Sequence, residues 1–470
     1  MAEMHYKNRY CWCALLLLGC EGGRGITDSS DTEVAEGEND GATFEVTLEL
    51  SENIRSVVTA TWDVELEQID SASIEFGPDD SYGLTAPVKV GDSRPYKTLL
   101  LGMKGEREYH CRITAKSGDQ IYQSDDYTIS TGPVPGALPS LTIDNPDPAK
   151  SWNGYLLTST IVSPPAAVIL DADGDYVWWY KPEGFSLLSR AHFSLDGTAI
   201  WMHDVNMNLG MGGGSEDHQV LKVSLDGSQV EKFDLPYGHH DFLELPDQTL
   251  AYIAYDPQMS NGTPVAGDRL MERKPDGTIK EIYNIWDDYE YDYTTEMVPG
   301  TMWPHANAVD YLPDEDAYLL SFLYLNAIFK IDRQTGDVLW ILGGNDSDFV
   351  LPDQSTEFFD HQHQMHMIDG SLLVFVNGTM PFGTSRAVEY SLNEQTFEAE
   401  LNWEYKSSPP LISMALGDAS RLESGNALVT YSYSGQIHEV DESGEVVWKL
   451  SAAAGGAVGY TTQLESLYVE

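Results

Sequence analysis

Apolar and polar residues alternate along most of this chain, and the 3.6-residue helical repeat is nearly absent. Between residues 42 and 132 the alternation runs through 44–50, 56–62, 72–76, 96–101, 108–115 and 122–130. Short period-2 runs separated by turn residues predict a β-sandwich. From about 150 to 470 a second pattern takes over: an acid or amide, a turn glycine, then an apolar run that often closes on tryptophan. It occurs at 171–179, 225–230, 275–279, 332–340, 392–403 and 441–448, with turn positions 174, 227, 277, 336, 395 and 444. Six repeats of roughly fifty residues, each built of short strands, predict a six-bladed β-propeller. The expected fold is all-β: a six-bladed β-propeller over 150–470, preceded by an immunoglobulin-like sandwich over 42–132.

The flanking segments are read differently. Residues 1–20 carry Lys7 and Arg9, the apolar run 14–18, then Gly19-Cys20. That run is too short to span a bilayer, which takes about 20 residues, and it fits an export signal. The ending Leu17-Leu18-Gly19-Cys20 resembles the bacterial lipobox. The resemblance implies lipidation at Cys20 and an exported lipoprotein held at the outer membrane or cell surface. Residues 21–41, rich in Gly, Ser and acids, read as a flexible tether, and 133–149, with prolines at 133, 135, 139, 146 and 148, as a stiff linker. Within the sandwich, Thr61-Trp62, the run 99–103 before 108–113, and Thr131-Gly132-Pro133 resemble a fibronectin type III domain. Cys11, Cys13 and Cys20 crowd the N-terminus, so Cys111 has no disulfide partner in a mature chain and reads as a small buried hydrophobe.

Charge narrows the function. Against 75 Asp and Glu stand 26 Lys and Arg, a formal charge of −49. Such a surface repels phosphate backbones and anionic lipid head groups, which excludes nucleic acid and leaves a lipid anchor as the route to a membrane.

Histidines supply the candidate chemistry. Ala191-His192-Phe193-Ser194, His239-His240-Asp241-Phe242, Pro304-His305-Ala306-Asn307 and Asp360-His361-Gln362-His363-Gln364-Met365-His366 each precede a turn of the repeat, near the start of a strand opening a blade. Of the twelve histidines, eight (192, 203, 239, 240, 305, 361, 363 and 366) fall in or beside these phrases. Equivalent positions of successive blades converge on the central channel. Clustered imidazoles can ligate a metal, or act as a nucleophile with neighbouring hydrogen-bond donors to a developing oxyanion. The phrases hold few carboxylates besides Asp241 and Asp360, and no thiols, which weighs against a metal.

The phrases 238–246, Trp303-Pro-His305-Ala-Asn307, Leu319-Leu-Ser321, 328–332, 340–344, Gln362-His363, 375–378, 385–390 and 422–426 occur in an order that resembles bacterial aryl-sulfate sulfotransferases. The resemblance covers about 200–450. It implies sulfuryl transfer from a phenolic sulfate to a phenol through a sulfohistidine, with no cofactor and no metal. His363 would be the nucleophile, and His240 or His239 and His305 would stabilise the sulfuryl and phenolic oxygens. Asn307, Arg386, Trp303, His192 and His361 would line the substrate site. Two departures stand out: the family arginine after Leu-Leu-Ser is replaced by Leu323, with Arg386 a possible substitute, and the acid before Asn377 is missing. Two rival classes are a non-catalytic propeller lipoprotein acting as a ligand-binding or adhesion scaffold, and a quinoprotein-type dehydrogenase, whose tryptophan-docking phrase is matched once, at 332–340. Among smaller features, 171–175 spaces oxygens as a calcium loop does but reads better as a hairpin turn, 207–214 as a loop at the channel mouth, and Trp303, Tyr324 and Phe382 as candidates to stack an aryl ring.

Overall fold

The computed structural model describes residues 41–91, 93–161, 164–204, 215–260, 262–292, 302–378, 383–453 and 456–468. The export signal, Cys20, nearly all of the tether, the 207–214 loop and Phe382 lie outside them. The described chain is all-β with a few 3-10 turns, and its sheets are antiparallel. No helix among these residues is long and apolar enough to cross a membrane.

Two sheets precede residue 131. One contains Phe44–Leu50, Val58–Val64 and Tyr96–Leu100; the other contains Leu84–Val88, Ser71–Gly77, Glu108–Ser117 and Gln120–Gln123, with Tyr127–Ser130 also paired to Glu108–Ser117. Alternation puts Val58, Ala60 and Trp62 of the first and Ile74, Phe76, Cys111 and Ile113 of the second into one apolar core. Burial pushes the Cys111 thiol up to about 12, so it stays protonated and unreactive.

Six further sheets of four or five strands follow, with a small two-stranded sheet, Gln258–Ser260 paired to Thr263–Val265, inserted between the second and third strands of the third. The second starts at Leu188–Phe193, the third at Gly238–Glu244, the fourth at Ala306–Leu312 and the fifth at Gln362–Ile368, each with four strands. The leading strands lie side by side from one sheet to the next, from the third to the sixth. The repeat turns of the sequence are the hairpins joining the outer two strands of each sheet, with glycines 174, 227, 277, 336 and 444 in the left-handed region. In the fifth sheet the left-handed residue is Phe397 (φ 55), not Gln395. Its N–H donates to the Asn393 carbonyl at 2.8 Å, as that of Gly336 does to Asp332 at 2.9 Å. The turn has the same spacing as that of the fourth sheet, and its left-handed position lies two residues beyond the one read in the sequence.

Both ends of this region are tied in. Leu141–Asp144, inside the stretch read as a linker, pairs with Val446–Ala452 as a fifth strand of the last sheet. Thr462–Leu464 pairs with Tyr155–Thr160 in the first. Just before it, backbone N–H groups of Val458, Gly459 and Tyr460 donate to carbonyls of Ser432, Ser159 and Ser189 at 3.1, 2.9 and 3.0 Å. The tail therefore bridges the sixth, first and second sheets.

The N-terminal sheets are docked as well. Ile54, Val57 and Leu101 share an apolar cluster with Leu157, Ile169, Trp178 and Leu221, and Ser56 Oγ donates to the Val177 carbonyl at 2.7 Å. Lys104 Nζ lies 2.9, 3.0 and 2.7 Å from carboxylate oxygens of Asp171, Asp173 and Asp175. The acidic loop is a hairpin turn, as Asp171 Oδ1 accepts the N–H groups of Asp173 and Asp175, and an ammonium from the neighbouring unit occupies the space a cation would take.

Candidate functional site

Three histidines that open successive sheets share an uncommon backbone. His240, His305 and His361 have φ of 56, 64 and 52, left-handed values rarely taken by residues with a Cβ. In each of the third, fourth and fifth sheets the leading strand also slips register, between Gly238 and Phe242, Ala306 and Ala308, and Gln362 and Met365. A bulge re-aims side chains out of the ladder, and each such backbone conformation costs on the order of 1–3 kcal/mol. Repetition of that strain at one phase of three sheets marks a site the fold is built to present.

The rings meet. His240 lies 4.6 Å from His305 and 6.4 Å from His363, centroid to centroid, and 4.9 Å from His239. His363 is 3 % exposed, and its Nδ1 is 3.0 Å from the Tyr460 hydroxyl. Tyr324 meets His305 edge to face at 5.6 Å. Nδ1 of His305 and of His361 are buried with no hydrogen-bond partner among the described residues. Gln362 Nε2 lies 3.0 Å from each of Ser321 Oγ and the carbonyl oxygens of Phe322 and Ala327, which share its two hydrogens and fix the side chain. Asn307 Nδ2 donates to the Gln362 carbonyl at 2.8 Å, which ties two leading strands together beside His363, and its Oδ1 is buried with no hydrogen-bond partner among the described residues.

Burial decides the protonation. It holds His363 and His239 down to about 3, and His240 and His305 well below the ordinary range with help from one another's charge. All four are neutral imidazoles at neutral pH, able to offer a lone pair or an N–H.

Charged groups surround them. Arg190, 11 % exposed at its side chain, has Nε 3.4 Å from Asp241 Oδ1 and its guanidinium 5.1 Å from the centre of the Tyr460 ring. Asp241 Oδ2 accepts from Gln364 Nε2 at 2.8 Å and from the Val309 N–H at 3.2 Å. Burial raises the Asp241 carboxyl above its ordinary value, while Arg190 pulls it back.

His366 stands apart from the neutral set. Its Nε2 is 3.0 Å from Asp418 Oδ1 and its Nδ1 3.7 Å from Asp310 Oδ2. Burial opposes its charge, yet the two carboxylates push it up to about 9. A folded-state value above the unfolded ~6.5 stabilises fully below about pH 6.5, and that stabilisation is lost as pH rises through 9. The unfolding free energy measured in urea should fall by on the order of 2–3 kcal/mol more in the parent than in His366→Gln between pH 6.5 and 9.5. Parallel pH profiles for the two proteins would assign the charge elsewhere.

Several residues singled out in the sequence sit differently. Trp303 is 0 % exposed, in the apolar core against Trp286 and Tyr291, so it cannot stack a ligand; Tyr324 is the aromatic residue beside His305. His192 lies on Phe242, 4.8 Å between centroids, with its Nδ1 3.2 Å from the Phe193 carbonyl oxygen. Arg386 is within 3.3 Å of Glu404 and 4.0 Å of Asp360, an ion-pair position outside the imidazole group. Residues 190, 268, 418 and 460 went unnoticed in the sequence. Asp418 opens the last leading strand as histidines open earlier ones, a legible signal, whereas Tyr460 reaches the site from the tail and carries none. Among the described residues, the one group of three or more side chains spaced for a metal is Asp171, Asp173 and Asp175, beside Lys104.

The model of the arylsulfotransferase (ASST) family matches residues 142–454, which begin in the strand Leu141–Asp144. No curated protein matches. Similar solved structures include PpgL, the periplasmic gluconolactonase of Pseudomonas aeruginosa, 12% identical with a TM-score of 0.40, covering 66% of this chain and 99% of that one. Another is apo AztD of Citrobacter koseri, 10% identical with a TM-score of 0.36, covering 67% and 99%.

Proposed function

This chain belongs to the arylsulfotransferase family, and we propose on that premise that it moves a sulfuryl group from a phenolic sulfate to a phenol through a sulfohistidine at His363. The six sheets read as a six-bladed propeller around the imidazoles, and the two N-terminal sheets as a fibronectin type III-like sandwich. Residues 1–20 read as the export signal of a lipoprotein anchored through Cys20.

The observation carrying the proposal is the meeting of neutral His240, His305 and His363, from three sheets, in one buried place. For Nε2 of His363 to attack sulfur, its proton must sit on Nδ1, and the Tyr460 oxygen 3.0 Å away can accept it. An S–N bond forms as the S–O bond to the aryl oxygen breaks. Charge spreads over the sulfuryl oxygens in flight, as it does on a transferring phosphoryl group, and fixed donors supply most of the catalysis. His240 and His305 are placed to donate. Arg190, from the second sheet, brings a guanidinium over the ring of Tyr460, whose hydroxyl meets His363. A phenol of pKa about 10 is a workable leaving group, and the second half-reaction reverses the first on the acceptor.

The test uses the full chain with a chromogenic aryl sulfate, with and without a phenol. Turnover beyond one equivalent should require the phenol, and donor alone should leave one sulfuryl group on the protein, located at His363 by peptide mass analysis. Neither release nor adduct across a panel of aryl sulfates would defeat the reading.

A further inference from the structure

A line of close contacts between titratable groups leads away from His363 into the deepest part of the site. Asp268, 1 % exposed, opens the third strand of the third sheet. Its Oδ2 accepts the Ala306 N–H at 2.8 Å, and its Oδ1 is 3.0 Å from His239 Nε2. His239 Nδ1 is 2.7 Å from His240 Nδ1. Tyr255 stacks on His239 at 3.7 Å, which holds that ring in the line. His239 Nδ1 is therefore committed to the next imidazole. Its Nε2 and Asp268 Oδ1 face each other at 3.0 Å, both buried and neither with an aligned hydrogen-bond partner among the described residues; such contacts tighten when substrate binds. Nε2 of His240 is left on the far side of its ring.

Two neutral imidazoles joined through Nδ1 atoms can hold one proton between them, so the whole line has two polarities. If Asp268 donates to His239 Nε2, His239 donates through Nδ1 to His240, and His240 carries its hydrogen on Nε2. If Asp268 is a carboxylate, every bond reverses and His240 Nε2 becomes a lone pair. We infer that Asp268, His239 and His240 form a proton relay that gives the departing phenolate its proton and takes one back from the acceptor phenol. The inference rests on the sulfuryl-transfer reading. Burial raises Asp268 to about 8, which favours the donating polarity in the resting protein at neutral pH. The charged and titratable groups around the line are Tyr255, His305, His363, and His203 and His218 of the second sheet, with Arg190 beyond them.

The balance closes. As the S–O bond breaks, the aryl oxygen takes the Nε2 proton of His240; His240 Nδ1 takes that of His239 Nδ1, and His239 Nε2 that of Asp268. The relay ends with a carboxylate at Asp268 and a lone pair on His240 Nε2, the arrangement needed to deprotonate the incoming phenol. Its attack on the sulfohistidine returns each proton. No proton crosses to solvent, which suits a buried site. Asp268 and His239 are positioning and relay residues; of the three, His240 touches substrate.

Asp268→Asn separates this from a structural role. Its amide oxygen can accept from Ala306 and its NH2 can donate to His239, so the line keeps the donating polarity but has no proton to surrender. Single-turnover formation of the His363 adduct should stay within about threefold of the parent with 4-nitrophenyl sulfate, whose phenolate leaves unaided. It should fall by on the order of 10²-fold with unsubstituted phenyl sulfate, which needs the proton. His239→Gln should give the same selectivity. Equal losses on both donors, or none, would overturn the relay. Histidine 15N shifts in the resting parent at pH 7 give a readout without turnover: His240 is expected as the Nε2–H tautomer, and Nδ1–H would overturn the relay even if transfer is observed. Absence of any adduct on the parent would instead defeat the sulfuryl-transfer reading, so the two failures are distinguishable.

Discussion

His363→Ala is expected to abolish sulfuryl transfer, lowering turnover by on the order of 10⁴-fold or more, and to remove the covalent adduct altogether. His239 Nδ1 is held by His240 while its Nε2 faces Asp268 at 3.0 Å, and His240 lies 6.4 Å from His363, centroid to centroid. His363 is positioned from behind: Tyr460 holds its Nδ1, and the Asn307–Gln362 bond fixes the strand that carries it. The fold should survive, since the substitution leaves one hydroxyl unpaired, a loss of about 1–3 kcal/mol. Transfer rates and intact mass, with the thermal transition as a folding control, measure the outcome. A folded variant that still turns over, or an adduct on another histidine, would remove His363 from the reaction.

The second large effect concerns stability. Asp241→Ala should destabilise the protein by about 3–5 kcal/mol, the usual result of leaving one partner of a buried ion pair behind. Asp241 is fully buried, accepts from Gln364 Nε2 and the backbone N–H groups of Val309 and Phe242, and is ion-paired with Arg190 at 3.4 Å. Alanine orphans the three donors and leaves the guanidinium without its counter-charge. Because these come from the second, fourth and fifth sheets and from the third itself, the loss should appear in the global unfolding transition in urea and not as local fraying. Asp241→Asn should cost less, as its amide oxygen still accepts two of the bonds. A loss below about 1 kcal/mol for the alanine variant would show that solvent reaches Arg190 and replaces the partner.

The stability test also bears on how much of the site could be read in advance. Asp241 and Gln364 lie inside histidine phrases that the repeat brought forward, and strand alternation sends both inward. Arg190 lies two positions before His192 on the same strand, yet His192 was the more conspicuous residue and turned out to lie on Phe242. Trp303 looked like a stacking platform because tryptophan beside a candidate histidine is chemically suggestive; its core packing against Trp286 depends on a 3-10 turn seventeen residues earlier, in no visible phase with it. Asp268 and Tyr460 follow no motif, and their roles come wholly from what stands opposite them.

By itself the sequence determined the period-2 strands, the six turns and the phase at which histidines recur, because side-chain alternation and left-handed turn glycines are local consequences of backbone sterics. Tertiary structure alone decided which imidazoles face one another, that Leu141–Asp144 completes the last sheet, and that Asp268, Arg190 and Tyr460 complete the site. Those outcomes depend on bulges that turn single residues out of the ladder and on contacts between segments far apart in the chain. A ring's protonation follows from the burial and partners so created, which no short stretch of sequence encodes.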